Sequence, residues 1–203
     1  MSQWNQLADD GAIETTIAAL KNNGMDAMVV KSAKEAKEKV LTMIPKGAEV
    51  MTMSSVTLET TGLTREFNES GVYDAVKPKL FAMDRKTQGR EMKKLGSAPD
   101  WAVGSVHAVT RDGRVLIASN TGSQLSGYVY GAGHVIWIVG AQKLVRNVDE
   151  GLNRINEYVV PLEDKHMMEL HGVHTNVSKL LMFNKEIMPN RVTIIIVKEV
   201  LGF

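Results

Sequence analysis

The chain has 203 residues, 44% of them hydrophobic and 23% charged, with a formal net charge of +1 and no cysteine. That balance excludes wholesale disorder and gives no electrostatic reason to expect nucleic acid or an anionic membrane as a main partner. The lack of thiols excludes disulfides, thiolate zinc sites, a cysteine-ligated iron–sulfur cluster within the chain and a cysteine nucleophile.

The opening Met1-Ser2-Gln3-Trp4-Asn5-Gln6 has no basic stretch leading into an apolar core, so no secretory signal is expected and the chain is expected to be cytoplasmic. Leu7, Ile13, Ile17 and Leu20 recur at helical spacing behind Asp9 and Asp10, and Gly24 follows, which predicts a helix over residues 8–22. Asp26 to Val30 is a short strand. Ala33, Ala36, Val40, Leu41 and Ile44 form the apolar face of a second helix that Pro45-Lys46-Gly47 breaks. Glu49 to Met53 is the next strand, followed by Ser54-Ser55-Val56-Thr57 and a helical pattern from Leu58 to Glu69. Lys79 to Met83 reads as a strand, and Asp84 opens an exposed, charged helix to Leu95.

Trp101 to Val103 begins another strand, and Asp112-Gly113 makes a tight turn before the strand Val115 to Ala118. Asn120 to Gln124 is predicted as a loop and Leu125 to Tyr130 as a short helix. Val135 to Val139 is a central strand, Val148 to Val159 a helix, and Val192 to Val197 the closing strand. The longest apolar runs, Val135 to Gly140 and Val192 to Val197, are too short to span a bilayer. Alternating strands and helices predict an α/β fold, with a mainly parallel central sheet flanked by helices. One domain over residues 1–203 is expected, with a less regular excursion at 161–190, rich in His and Met.

The loop SSVTLETTG at 54–62 lies where a parallel strand ends and a helix begins, the edge at which open α/β sheets usually bind ligands. Ser54, Ser55 and Thr57 offer hydroxyl donors to a phosphate or carboxylate. The same residues also serve as ordinary helix caps, and Glu59 in the first turn suits the helix dipole as well as it suits catalysis. In the stretch 105–124, Thr121, Gly122, Ser123 and Gln124 form a second ligand-binding candidate; a plain turn is the competing reading. His107 is a candidate acid or base, set against a satisfied core histidine, and His134 reads as structural. Lys143 follows a central strand at the same edge and is expected to be a surface lysine able to neutralise an anion. No metal site is expected; the alternative is the histidine group His166, His171 and His174, which matches no zinc-protease spacing. No Walker loop, dinucleotide turn or nucleophile elbow occurs, and no cofactor is assigned.

Read in order, EVMTMSSVTLETTGL at 49–63, SVHAVTRDGRVL at 105–116, the Thr121-Gly122 turn, YGAGHVIWIVGAQKLV at 130–145 and the terminal VTIIIVKEVLGF resemble the LUD (lactate utilisation) domain family over roughly residues 7–203. The resemblance implies a fold similar to that of phosphosugar isomerases and CoA transferases. It also implies a link to iron–sulfur proteins that accompany some members in operons for oxidising L-lactate to pyruvate. This chain departs from the pattern at Ser123-Gln124, where related members often carry Asn-Arg, and at Gln142, where they often carry Asn. The segment before the last strand, often cysteine-rich in relatives, has none here, so a redox role carried by those cysteines does not transfer. Three functions follow: a binder of a small anion (carboxylate, phosphate or CoA-type) in lactate or related organic-acid utilisation; an isomerase or acyl- or CoA-transferring enzyme, with Glu59 the nearest carboxylate nucleophile; and a non-catalytic partner of an iron–sulfur electron-transfer complex. A homo-oligomer is compatible with each.

Overall fold

The computed structural model describes residues 2–203. Six parallel strands form the central sheet: β1 (Asp26–Val30), β2 (Glu49–Thr52), β3 (Asp74–Ala75), β4 (Trp101–Gly104), β7 (His134–Gly140) and β10 (Val192–Val197), in the order β1-β10-β7-β4-β2-β3. A second, mixed sheet has the order β8-β5-β6-β9, from β5 (Ala108–Thr110), β6 (Val115–Ser119), β8 (Leu144–Val145) and β9 (Lys179–Phe183). Asp112-Gly113 is the hairpin turn between β5 and β6, where Gly113 takes a φ of 80°.

Strand alternation sorts the core into layers. On β7, Ile136 and Ile138 face one side and Val135, Trp137 and Val139 the other; on β10, Ile195 and Val197 oppose Val192, Ile194 and Ile196. The first side packs against α2 (Ala33–Met43), α3 (Val56–Thr60) and α4 (Leu63–Glu69), through Ala36, Val40, Leu58, Leu63 and Phe67. The second packs against α1 (Asp10–Asn22), through Ile13 and Leu20, and against Val115 and Ile117 of the second sheet. Leu116 and Ala118, from the opposite face of β6, join Val148, Leu152 and Ile155 beneath α8 (Val148–Arg154). Coverage on both faces is why β7 and β10 read as unbroken apolar runs.

Three local expectations are corrected. Lys79 to Met83 is not a strand: it falls largely within α5 (Val76–Ala82), whose Pro78 is accommodated in the first turn, where no N–H is required. The single helix expected from Leu58 to Glu69 is α3 and α4, divided where Gly62 turns left-handed at φ 72°. The helix expected at 125–130 starts earlier, as α7 (Ser123–Ser126), and continues as a wide π turn over Gly127–Gly131. The excursion at 161–190 carries regular structure: α9 (Val160–His171), reached from α8 through a second π turn over Ile155–Val159, and then β9. Its weak apolar periodicity follows from exposure, since α9 has no fully buried residue. α6 (Arg85–Ser97) is exposed and charged as the sequence predicts. Among the described residues no helix is long and apolar enough to cross a membrane.

Candidate functional site

The C-terminal ends of β2, β4 and β7 open into a cavity of about 320 Å³, with walls completed by β6, α7, α9 and the segment after α9. Ligands in open α/β sheets bind at this edge because the strands end there and the following loops diverge. Ser54, Ser55 and Thr57 line it from the β2–α3 connection, Ser105 and His107 from the β4–β5 connection, Thr121, Ser123 and Gln124 from the β6–α7 turn, and Lys143 from beyond β7.

Lys143 is the centre of the arrangement, and the expectation of a surface lysine is corrected: it is only 2% exposed. Its Nζ donates to Thr57 Oγ1 at 3.0 Å and to Ser105 Oγ at 3.1 Å. Burial, reinforced by the Arg154 guanidinium, lowers its pKa to about 7. The displacement from the surface arises because residues 141–143 form a 3-10 turn that leads straight into β8, so the lysine stem is enclosed. Gln142, also buried, clamps the chain end over this turn: its Nε2 donates to the carbonyls of Leu201 and Gly202 at 3.0 and 3.3 Å. Gly202 adopts φ 61°, and a Cβ there would stand 2.5 Å from Thr57 Oγ1, so glycine is required beneath the lysine.

Arg154 is fully buried at the end of α8. One Nη donates to the His107 carbonyl at 2.7 Å, and the guanidinium stands over the Tyr158 ring at 5.4 Å, while its Nε and other Nη have no partner among the described residues. Burial lowers its pKa to about 10. Helical spacing over residues 148–159 turns Arg154 outward with Asp149, Glu150 and Glu157, and that expectation is corrected: the side chain is fully buried. The π turn that begins at Ile155 rotates the helix off its regular period at this point.

His107 is half-buried against the cavity, and burial, with Lys143 and Arg154 nearby, drives its pKa down to about 3. Its Nδ1 accepts the Ala118 backbone N–H at 3.0 Å, so the neutral ring carries its proton on Nε2. Ser55 occupies the cap position of α3 but makes no side-chain capping bond, so capping does not account for its hydroxyl. Ser54 Oγ accepts from Lys77 Nζ at 3.1 Å. Burial lowers the Lys77 pKa, opposed by Glu59, and places a second lysine at the rim. Glu163 from α9 also lines the cavity, its pKa raised by burial, lowered by His166 and raised by Glu59.

Other sequence candidates stand differently. Gln124 spends its amide on β6: Oε1 accepts from Ser119 Oγ at 2.9 Å and Nε2 donates to the Ala118 carbonyl at 3.2 Å. Thr121 and Ser123 hydrogen-bond one another at 3.1 Å, and Gly122 supplies the φ of 84° that starts α7. Glu59 is exposed outside the cavity lining. The three histidines are dispersed: His166 packs edge-on to Phe203, His174 pairs with Asp164 at 2.9 Å and His171 lies exposed in the last turn of α9. No group of three or more His, Asp or Glu that could hold a metal occurs among the described residues. His134 is exposed and stacks on Trp101 with centroids 4.2 Å apart.

The family model described as the LUD domain matches residues 13–197, spanning every strand of the central sheet and every cavity-lining residue except Phe203. The chain belongs to the LUD-domain family. Among solved structures, this LUD domain is similar to a DUF162 family protein from Deinococcus radiodurans, at a TM-score of 0.59 and 11% identity, covering 95% of this chain and 99% of that one. That likeness shows the α/β fold. A D-ribose-5-phosphate isomerase in complex with phospho-erythronic acid aligns over 82% of this chain and 94% of its own at 16% identity and a TM-score of 0.36. A comparison with curated proteins finds no match. Of the residues departing from the resemblance, Gln142 turns its amide onto the backbone of Leu201 and Gly202, Gln124 spends its own on Ser119 Oγ and the Ala118 carbonyl, and Ser123 pairs with Thr121.

Proposed function

We propose that this LUD-domain protein binds a small organic anion, bearing a carboxylate or phosphate, at the cavity above β2, β4 and β7, as a component of lactate or related organic-acid utilisation. One observation carries the reading. Lys143 and Arg154 are both enclosed, at 2% and 0% exposure, and neither forms a salt bridge among the described residues. An uncompensated buried cation costs several kcal/mol, so buried charges are normally paired. Lys143 lines the hydroxyl-rich cavity, and Arg154 lies behind the lining, bonded to the His107 carbonyl and close enough to act on Lys143, so together they supply the field that an entering anion would complete. Thr57 and Ser105 fix the lysine head, Ser55 adds a free hydroxyl, and Lys77 extends the positive lining to the rim.

The cavity volume suits a small acid, or the acid or phosphate end of a longer molecule such as a CoA-type ligand. Binding should be tested by thermal shift against organic acids, phosphosugars, nucleotides and CoA esters, with calorimetry on any hit. A ligand at a hundred times its dissociation constant that binds only the native state stabilises the fold by about 2.7 kcal/mol. The reading predicts a hit whose affinity drops about tenfold or more in Lys143→Met, as expected for loss of one charge-assisted contact. Equal affinity in Lys143→Met would move the site elsewhere.

A further inference from the structure

Thr57 Oγ1 donates its own proton to the Leu201 carbonyl at 3.2 Å, so towards Lys143 it can act only as an acceptor. The Ser105 hydroxyl is placed differently. Its Oγ lies 3.1 Å from Lys143 Nζ, and among the described residues the only carbonyl within its reach is that of Val106, at 3.5 Å, the outer limit of a hydrogen bond. When the amine is neutral, one N–H is held by Thr57 and the lone pair is left to accept the Ser105 proton. Among the described residues no carboxylate pairs with the lysine to hold it charged, and enclosure together with Arg154 favours the neutral amine. A nucleophile within hydrogen-bond reach of a base, with the base oriented by a third group, is the arrangement that activates a hydroxyl; serine–lysine pairs are one of its variants.

Ser105 opens onto the cavity directly after Gly104, where any side chain would collide with the Tyr128 hydroxyl. His107 lines the same cavity two residues on. With Nδ1 occupied by the Ala118 N–H, its Nε2–H is a fixed, neutral donor.

We propose that Ser105 is a nucleophile, Lys143 its general base and Thr57 the residue that orients the base, and that the cavity transfers the acyl group of an ester or thioester carrying an anionic group. The proposal rests on the cavity being the ligand site. Ser105 Oγ bonds to the acyl carbonyl carbon as its proton passes to Lys143 Nζ, and the carbonyl π electrons move to oxygen, where His107 Nε2–H donates. Collapse of the tetrahedral intermediate breaks the C–O or C–S bond, and the leaving alkoxide or thiolate takes the proton from Lys143. Water, or a second hydroxyl or thiol, then attacks the acyl-serine by the same route, and Lys143 returns the proton to Ser105.

The charged and titratable groups that line the cavity with the base are His107 before β5, Tyr128 after α7, Lys77 on α5 and Glu163 on α9, with Arg154 of α8 behind them. The two roles of Lys143 have opposite pH dependence: an anion favours the protonated amine, whereas acylation needs the neutral one. The whole chain should be treated with a serine-directed fluorophosphonate probe between pH 6 and 9, and the adduct mapped by peptide mass spectrometry. The expected result is one adduct, at Ser105, forming faster as pH rises through about 7. It should be absent in Ser105→Ala and slowed by about 10²–10⁴-fold in Lys143→Met. Thermal melts establish that both variants are folded. Because the chain has no cysteine, Ser105→Cys introduces a single thiol, whose alkylation by iodoacetamide independently reports whether position 105 is open to the cavity. Calorimetry with phosphate and lactate on the unmodified chain separates the two readings. Anion binding without labelling of Ser105 overturns the dyad alone, and absence of both overturns the anion site as well. An adduct on another serine, or a rate at Ser105 indifferent to Lys143→Met, also overturns the dyad.

Discussion

Lys143 sets the residue scale because its charge is displaced furthest from its ordinary behaviour. Folded, it binds its proton with a pKa of about 7, against 10.5 for an ordinary lysine. Between those values the unfolded chain holds more protons than the folded one, so stability should rise with pH across that window. Lys143→Met retains most of the apolar stem and removes the uncompensated charge. We predict that it raises the melting temperature near pH 7 and flattens the rise in stability towards pH 10, both read by calorimetric melts. A melting temperature lowered at every pH would mean that the bonds to Thr57 and Ser105 outweigh the buried charge. His107 follows the same sign at lower pH: its folded pKa of about 3 lies below the ordinary 6.5, so its contribution to stability is lost as pH falls through that interval. In proton–nitrogen imidazole spectra, His107 should stay neutral with its proton on Nε2 down to pH 5; a protonation midpoint near 6 would contradict the enclosed site.

At the scale of elements, Leu201 and Gly202 are tied to residues of the cavity wall. Gln142 ties Leu201 and Gly202 over the turn that carries Lys143, and the Leu201 carbonyl takes the Thr57 proton. Gly202→Ala would force a Cβ onto Thr57 Oγ1 at φ 61°. It should cost about 1–3 kcal/mol, the usual range for a residue held in a sparsely populated conformation, read as a lower urea midpoint. An unchanged midpoint would show that the end is not clamped. The central strand β7 lies between β10 and β4, with Val135 to Gly140 all buried. Its amides should exchange slowest of any strand, and fast exchange throughout Val135–Val139 would contradict this sheet order. Both π turns flank the cavity, at Tyr128 and beside Arg154, as such turns often do at functional sites.

Across the whole molecule, the strands that are buried on both faces were legible in the sequence, because an unbroken apolar run as short as Val192–Val197 suits a strand covered from both sides. That Ser54–Thr57 and Lys143 share one edge of the sheet was legible too, since each follows a central strand, but the burial of Lys143 was not. What was hidden had a physical cause in each instance. α5 was short enough for its apolar residues to mimic a strand, and α9 showed little periodicity because none of its residues is fully buried. Arg154 carried a misleading local signal, helical spacing that turns it outward, and Ser105 carried none: the two meet Lys143 only when β4, α8 and the turn after β7 converge. The family model spans the same stretches that carry the resemblance, and where related members often have an arginine after the Gly122 turn this chain has Gln124.

The most direct test is the pH dependence of anion affinity in the unmodified chain. An organic acid or phosphate compound found by thermal shift should be titrated calorimetrically at pH 6, 7 and 8.5, in two buffers of different ionisation enthalpy. If Lys143 completes the site, affinity falls as pH rises through about 7, and above that value each binding event takes up a proton from the buffer. Affinity that is flat with pH and independent of buffer, or no binding by any anion in the panel, would contradict a cavity built around an unpaired lysine.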